Sequence, residues 1–166
     1  MNKVNIWVDM DGVLVDFVGS VQEHPGWTDG DISDLDAFWN HVETMGYEWW
    51  AGLPWTEDGK QLWAWLQSIP TTAVAVRMLS AAPDTGFAEG VYGKRKWIAD
   101  NIGSAHAHHA VITHRENKKH LARSESVLID DYGKNISEWT NAGGIGVKHE
   151  NTADTIAALK ELLHVG

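Results

Sequence analysis

Five short apolar runs, each too brief for a helix and each closing on polar or small residues, limit what this chain can become. The first leads from Ile6 into Asp9. The others are 73–81 (AVAVRMLSA), 109–114 (HAVITH), 126–131 (SVLIDD) and 143–149 (GGIGVKH). They are rich in Val and Ile, and their apolar residues are continuous rather than alternating. Such runs suit strands buried on both faces of a parallel sheet. Segments of helical character separate them at 94–102, 117–123, 134–142 and 152–164, the last with Asn151 or Thr152 as its cap. Strands alternating with helices imply right-handed crossovers. The expected fold is α/β, a three-layer Rossmann-like core on a parallel sheet.

One stretch breaks this rhythm. Residues 17–70 contain no convincing strand. The segment 31–43 (DISDLDAFWNHVE) offers capping residues and then helical periodicity, and 56–69 (TEDGKQLWAWLQSI) reads as a second helix with Thr56 as cap. Pro54 and Pro70 punctuate it. We expect a small helical cap lobe over 17–70, inserted after the first strand, with 1–16 and 71–166 forming the core of one compact unit. Seven of the ten tryptophans fall between Trp27 and Trp65. Most should pack the lobe, since aromatic side chains bury large areas. One or two could line a pocket for a flat ring.

Charge narrows the partners. The 23 acidic residues outnumber the 13 basic ones, for a formal net charge of −10, and no Lys/Arg-rich run suggests a groove for a nucleic-acid duplex. A few local donors can still hold a small phosphorylated ligand. The absence of cysteine excludes disulfides and thiol chemistry. The N-terminus lacks the apolar region of a signal peptide, and no apolar run approaches the roughly 20 residues of a membrane span. The expectation is a soluble cytoplasmic protein with a small-molecule partner and none in a membrane; a homodimer is left open.

In an open α/β sheet, ligands bind beyond the carboxyl ends of the strands. Here those ends supply Asp9 and Asp11, then Ser80, then His114 and Arg115, then Asp130 and Asp131. Lys94 and Lys118 each fall in the first turn of a predicted helix on the same face. Asp9 and Asp11 are two apart, so extended backbone points both at one ligand while Met10 turns inward. Gly12 permits a tight turn and a close approach. Up to four carboxylates in one place repel one another and require compensation. A hard divalent cation supplies it, and Mg²⁺ is the natural choice. A lysine and the serine hydroxyl would then hold the other side of a phosphate.

These residues carry a resemblance. DMDGV after an apolar strand, a serine after the second strand, a lysine at a later helix start and LIDD resemble the four motifs of the haloacid dehalogenase (HAD) superfamily of phosphohydrolases. Within it, DMDGVLVDF at 9–17, the helical lobe after it, KRKWIADNIG at 94–103 and VLIDD at 127–131 are similar to the 5'(3')-deoxyribonucleotidases. The resemblance implies that Asp9 is the nucleophile, giving an aspartyl-phosphate, and that Asp11 is the general acid and then the base. It implies that Asp9, the backbone carbonyl of Asp11 and the side chain of Asp131 hold Mg²⁺, with Asp130 close behind. Ser80 and a lysine would bind the phosphate. Lys118, just before the strand ending in the aspartate pair, has the better case, with Lys94 as a second contact. Where the family often has Thr-Ser-Pro, this chain reads Ser80-Ala81-Ala82-Pro83, with one hydroxyl fewer.

The lobe would exclude water and choose the substrate. By the same resemblance Phe17 would stack on the base, with Trp49 and Trp50 as the opposite wall and Trp39 behind them. Zinc at His106, His108, His109 and His114 is disfavoured. Strand geometry would send His108 and His109 to opposite faces, and no cysteine joins them. The expected function is Mg²⁺-dependent hydrolysis of (deoxy)ribonucleoside monophosphates. The alternatives are a HAD phosphatase for a sugar phosphate or a nucleic-acid end, and a non-catalytic nucleotide-binding protein.

Overall fold

The computed structural model describes residues 3–28 and 32–164. Its strands are β1 (Val4–Val8), β2 (Val74–Ala81), β3 (Val111–Thr113), β4 (Ser126–Asp130) and β5 (Ile145–Lys148). Its helices are α1 (Phe17–Gln22), α2 (Leu35–Val42), α3 (Tyr47–Ala51), α4 (Gly59–Ser68), α5 (Phe87–Asn101), α6 (Ser104–His109), α7 (Gly133–Asn141) and α8 (Thr152–Leu163), with a 3₁₀ helix at Arg115–Leu121. The five strands form one sheet in the order β3-β2-β1-β4-β5, and every pairing is parallel. The chain lays down β2 and β3 on one side of β1, then crosses to β4 and β5 on the other. The switch point therefore lies beside β1, where a ligand site is expected.

Both faces of the sheet are covered. Ile6 and Val8 of β1 join Val127, Ile129, Trp97 and Leu159 in the larger apolar layer. Trp7, pointing the other way, packs with Leu79, Leu128 and Trp139 in a smaller one. This alternation explains why the strand sequences read as unbroken apolar runs. Among the described residues no helix is long and apolar enough to cross a membrane.

The departures have physical causes. The helix expected at 94–102 begins at Phe87, so Lys94 lies two turns inside α5 rather than in its first turn. Gly90 and Gly93 hide the helical pattern. A Cβ at Gly90 would stand 2.5 Å from Pro83 Cδ, and one at Gly93 only 2.3 Å from Trp50 Cβ. The two glycines lower helix propensity by about 1 kcal/mol each but let α3 and the loop after β2 lie against α5. The strand expected from 109 starts at Val111; His106, His108 and His109 are on α6, so the opposite-faces argument does not apply to them. The helix expected at 117–123 is a 3₁₀ helix over Arg115–Leu121. The helix read from 31 starts at Leu35, with the Asp34 side chain accepting from Ala37 N at 3.0 Å; Asp31 lies outside the described residues. Helices α1 and α3, and α6, have no counterpart in the sequence pattern.

The inserted helices close on themselves. Asp16 N donates to Pro54 O at 3.0 Å and Thr56 N to Leu14 O at 2.9 Å, pinching the chain between 16 and 54. Thr56 does not cap α4; its hydroxyl donates to Val13 O at 2.9 Å. Helix α4 lies beyond the pinch. There Asp58 Oδ2 accepts from Thr152 N at 2.8 Å, adding to the Asn151 cap of α8.

Candidate active site

The loop after β1 is a single tight turn in which Met10 O accepts from Leu14 N and Val15 N, both at 2.9 Å. Met10 is buried, as its position between two carboxylates facing the other way requires. Gly12 has φ +74°, and a Cβ there would stand 2.1 Å from Asp131 Oδ2. The Asp131 carboxylate thus occupies the space that any other residue at 12 would fill.

Asp9, Asp130 and Asp131 each offer an oxygen within 4.8 Å of the others, the only such acidic or histidine group of three among the described residues. Asp9 sits at the end of the central strand, its N–H donating to Ile129 O at 2.9 Å. Lys118 Nζ lies 2.9 Å from Asp9 Oδ1 and 2.8 Å from Asp130 Oδ2. The ammonium is what satisfies Asp9 Oδ1, which is otherwise buried. Burial, reinforced by Asp130 and Asp11 and opposed by Lys118, pushes the Asp9 carboxyl up to about 8. Burial first, then Asp130, raises Asp131 to about 6 although that side chain reaches solvent. Burial alone would lower Lys118, but Asp9 and Asp130 outweigh it and hold the ammonium above the usual lysine range.

Asp130 is fully enclosed and fully satisfied. Oδ1 accepts from Tyr132 N at 2.9 Å, and Oδ2 accepts from Lys118 and from Asn135 Nδ2 at 2.9 Å. Lys94, also buried, reaches the same face from the middle of α5. Its Nζ donates to Asp11 Oδ2 at 2.5 Å, Ser80 Oγ at 3.0 Å and Ala81 O at 2.6 Å, and lies 5.3 Å from the centre of the Trp50 ring. Asp11 Oδ1 is buried without a donor. The structure therefore places Asp9, Asp11, Ser80, Lys94, Lys118, Asp130 and Asp131 in one cluster. Each lysine is already engaged with a carboxylate.

The donor chemistry fits Mg²⁺: only hard oxygens, on three carboxyl groups crowded around a single ammonium. Asp9 and Asp131 side chains and the Asp11 carbonyl would hold the ion, with Asp130 behind them.

The aromatic residues divide. Phe17 is only 7% exposed and lies nearly parallel to Trp50, ring centres 5.5 Å apart, with Trp39 at 6.1 Å. Little of Phe17 is left for a ligand, and Trp50 is buried with it. Trp39 at 46% exposure, and half-buried Trp49, edge-on to Trp50 at 5.0 Å, present the accessible rings. His106 meets Trp63 edge-on at 5.1 Å and His114 approaches Asp84 at 3.4 Å; neither joins the carboxylate cluster.

Asn135 and Glu138, on α7, enter the structure without a sequence forecast. Their spacing of three on one helix face was the available signal. Arg115, foreseen only as a strand-end residue, donates to both.

No family model matches this chain, and no curated protein does. Two solved structures are similar to it. One is an uncharacterized protein from Corynebacterium glutamicum, 16% identical, with a TM-score of 0.51 over 99% of this chain and 98% of that one. The other is the HAD domain of the effector protein Lem4 from Legionella pneumophila, 16% identical, with a TM-score of 0.47 over 98% and 94%. At these identities the first likeness is one of fold.

Proposed function

We propose that the chain is a Mg²⁺-dependent phosphomonoesterase of the HAD kind, with nucleoside monophosphates as its substrates. One observation carries the reading: Asp9 ends the central strand beside a fixed ammonium, Lys118 at 2.9 Å, and two further carboxylates. A strand-end carboxylate in such a cluster is the kind of group that attacks phosphorus to give a covalent intermediate. The DMDG and LIDD motifs, read as those of the superfamily, support the same assignment.

In this reading Asp9 attacks phosphorus, the ester P–O bond breaks, and the leaving oxygen takes a proton from Asp11. Asp11 then takes a proton from the water that attacks the aspartyl-phosphate, and Asp9 leaves as a free carboxylate. Ser80 Oγ, Lys94 and Lys118 orient the phosphoryl oxygens, which take over donors that now face Asp11, Asp9 and Asp130. Bound Mg²⁺ supplies positive charge to those oxygens. The inserted helices before the pinch act as the cap, and the base stacks on Trp39 and Trp49 rather than on Phe17. Because Phe17 and Trp50 fill their space with each other, a second reading, a phosphatase for a smaller ester such as a sugar phosphate, stays in play.

The test is phosphate release from 5'- and 3'-nucleotides in deoxy and ribo forms, sugar phosphates and p-nitrophenyl phosphate, with Mg²⁺ and with EDTA. Metal-dependent release is expected, best with nucleotides; release from sugar phosphates alone would keep Asp9 and discard the base. Asp9→Asn should cut turnover by about a thousandfold or more while the protein stays folded. Normal activity in that variant would sink the reading.

A further inference from the structure

Four side chains form two facing pairs beside the carboxylate cluster. Arg115 and Lys118 are three apart on a 3₁₀ helix, where such residues eclipse one another. Asn135 and Glu138 are three apart on α7, on the face turned to them. Arg115 Nη1 donates to Asn135 Oδ1 at 3.0 Å and to Glu138 Oε2 at 3.1 Å, and Nη2 to Glu138 Oε1 at 3.4 Å. The Arg115 hydrogen bonds hold Glu138 below the usual carboxylate range. Asn135, 6% exposed, donates Nδ2 to Asp130 Oδ2, the oxygen that also takes Lys118.

We infer that Arg115 is a positioning residue for the Asp9–Lys118–Asp130 centre, acting through the side-chain amide of Asn135. A guanidinium can only donate and a carboxylate can only accept. The Asn135 amide between them has one permitted orientation, oxygen to Arg115 and nitrogen to Asp130. Without the guanidinium nothing at that end selects the orientation. A flipped amide would set its oxygen against Asp130 Oδ2, and Asp130 would lose one of the donors that aim it at Lys118. Lys118 is in turn the cation beside Asp9 Oδ1. Glu138 holds the same guanidinium through both Nη1 and Nη2, so the lock is anchored by a carboxylate outside the Asp9–Lys118–Asp130 centre. Partners of this kind around metal carboxylates and their neighbours typically control affinity or activity by about 10- to 100-fold.

The inference rests on the phosphatase reading for its kinetic arm only. Mg²⁺ binding, followed by titration calorimetry on the intact protein, supplies an arm independent of turnover. Arg115→Met should weaken Mg²⁺ binding about tenfold and lower kcat about 10- to 100-fold, with KM nearly unchanged. Arg115→Lys, which keeps a donor for Asn135, should recover part of both. Glu138→Gln, which leaves the Arg115–Asn135 bond, should change them far less than Arg115→Met. Wild-type Mg²⁺ affinity in Arg115→Met would overturn the inference. So would equal losses in Arg115→Met and Glu138→Gln, which would mark a purely structural clamp. If Arg115→Met fails to fold, Arg115→Gln decides, because its amide can donate or accept and imposes no orientation on Asn135: weakened Mg²⁺ affinity supports the lock and wild-type affinity overturns it. Absence of phosphatase activity in the wild type would retire the function proposed above and leave the Mg²⁺ arm to judge the lock. Absence of Mg²⁺ binding in the wild type would overturn the lock itself.

Discussion

Lys118 and Lys94 are both buried ammonium groups at the carboxyl ends of the strands, yet they are neutralised in opposite ways. Lys118 stands between Asp9 and Asp130, both buried, so one ammonium serves two carboxyl groups. Lys94 faces one carboxylate, Asp11, whose side chain is 25% exposed, and completes its shell with a hydroxyl, a carbonyl and the Trp50 ring. Once Asp9 ionises, the first centre is short of positive charge while the second is balanced. On the function proposed above, a cation would join the first, and a phosphate oxygen would displace the neutral partners of the second. Two lysines that look equivalent as phosphate ligands are thus set for different work.

The imbalance is most exposed by pH. The folded-state carboxyl of Asp9 is raised from the usual 3.8 to about 8, and that of Asp131 to about 6. The folded protein therefore binds more protons than the unfolded chain between these limits. The stability that these protons contribute is full below about pH 4 and is lost as pH rises toward 8. For Asp9 the loss approaches about 1.4 kcal/mol for each pH unit crossed; for Asp131, which water reaches, it is smaller. Urea melts of metal-free protein across that range should show the decline, and Mg²⁺ should flatten it. Asp9→Asn should remove most of the slope while Lys94→Met preserves it; a slope untouched in Asp9→Asn would erase the distinction between the centres.

Charge deletion comes next. Lys118→Met strands the fully buried Asp130 carboxylate and removes the cation beside Asp9, and should cost about 3–5 kcal/mol at neutral pH. Lys94→Met strands one that water can reach and should cost about 1–3 kcal/mol. Equal losses in urea midpoints would break the comparison. The smallest stability effect is expected at Gly12. Gly12→Ala carries about 1–2 kcal/mol of left-handed backbone strain and pushes on Asp131. It should weaken Mg²⁺ binding about tenfold and leave the Lys94 centre intact, as calorimetry can read.

The strand ends were legible because they set a carboxylate after an apolar run, a combination with few other uses. Asp9, Asp130 and Asp131 meet for that reason, and Ser80 arrives from the neighbouring strand. The length of α5 was not legible, because Gly90 and Gly93 answer to Pro83 and Trp50, contacts that local pattern does not encode. Phe17 misleads for a similar cause: a motif can place an aromatic ring near a site, but only packing decides whether its faces are free. The Arg115–Asn135 link escapes because hydrogen-bond direction, rather than residue type, gives it meaning.

The pinch at Asp16–Pro54 and Leu14–Thr56 also has a bearing on how this molecule could be taken apart. Helix α4 falls outside the closed loop and is fastened to the last helix through Asp58 and Thr152. Considered as an exchangeable part, the insert ends at Pro54 and not at Pro70. A chimera cut at Pro70 would carry away a cap of α8 and leave Thr152 N–H bare, whereas one cut at the pinch would keep that cap and give up instead the packing of α3 on α5 and the hydrogen bond from Trp97 Nε1 to Leu53 O.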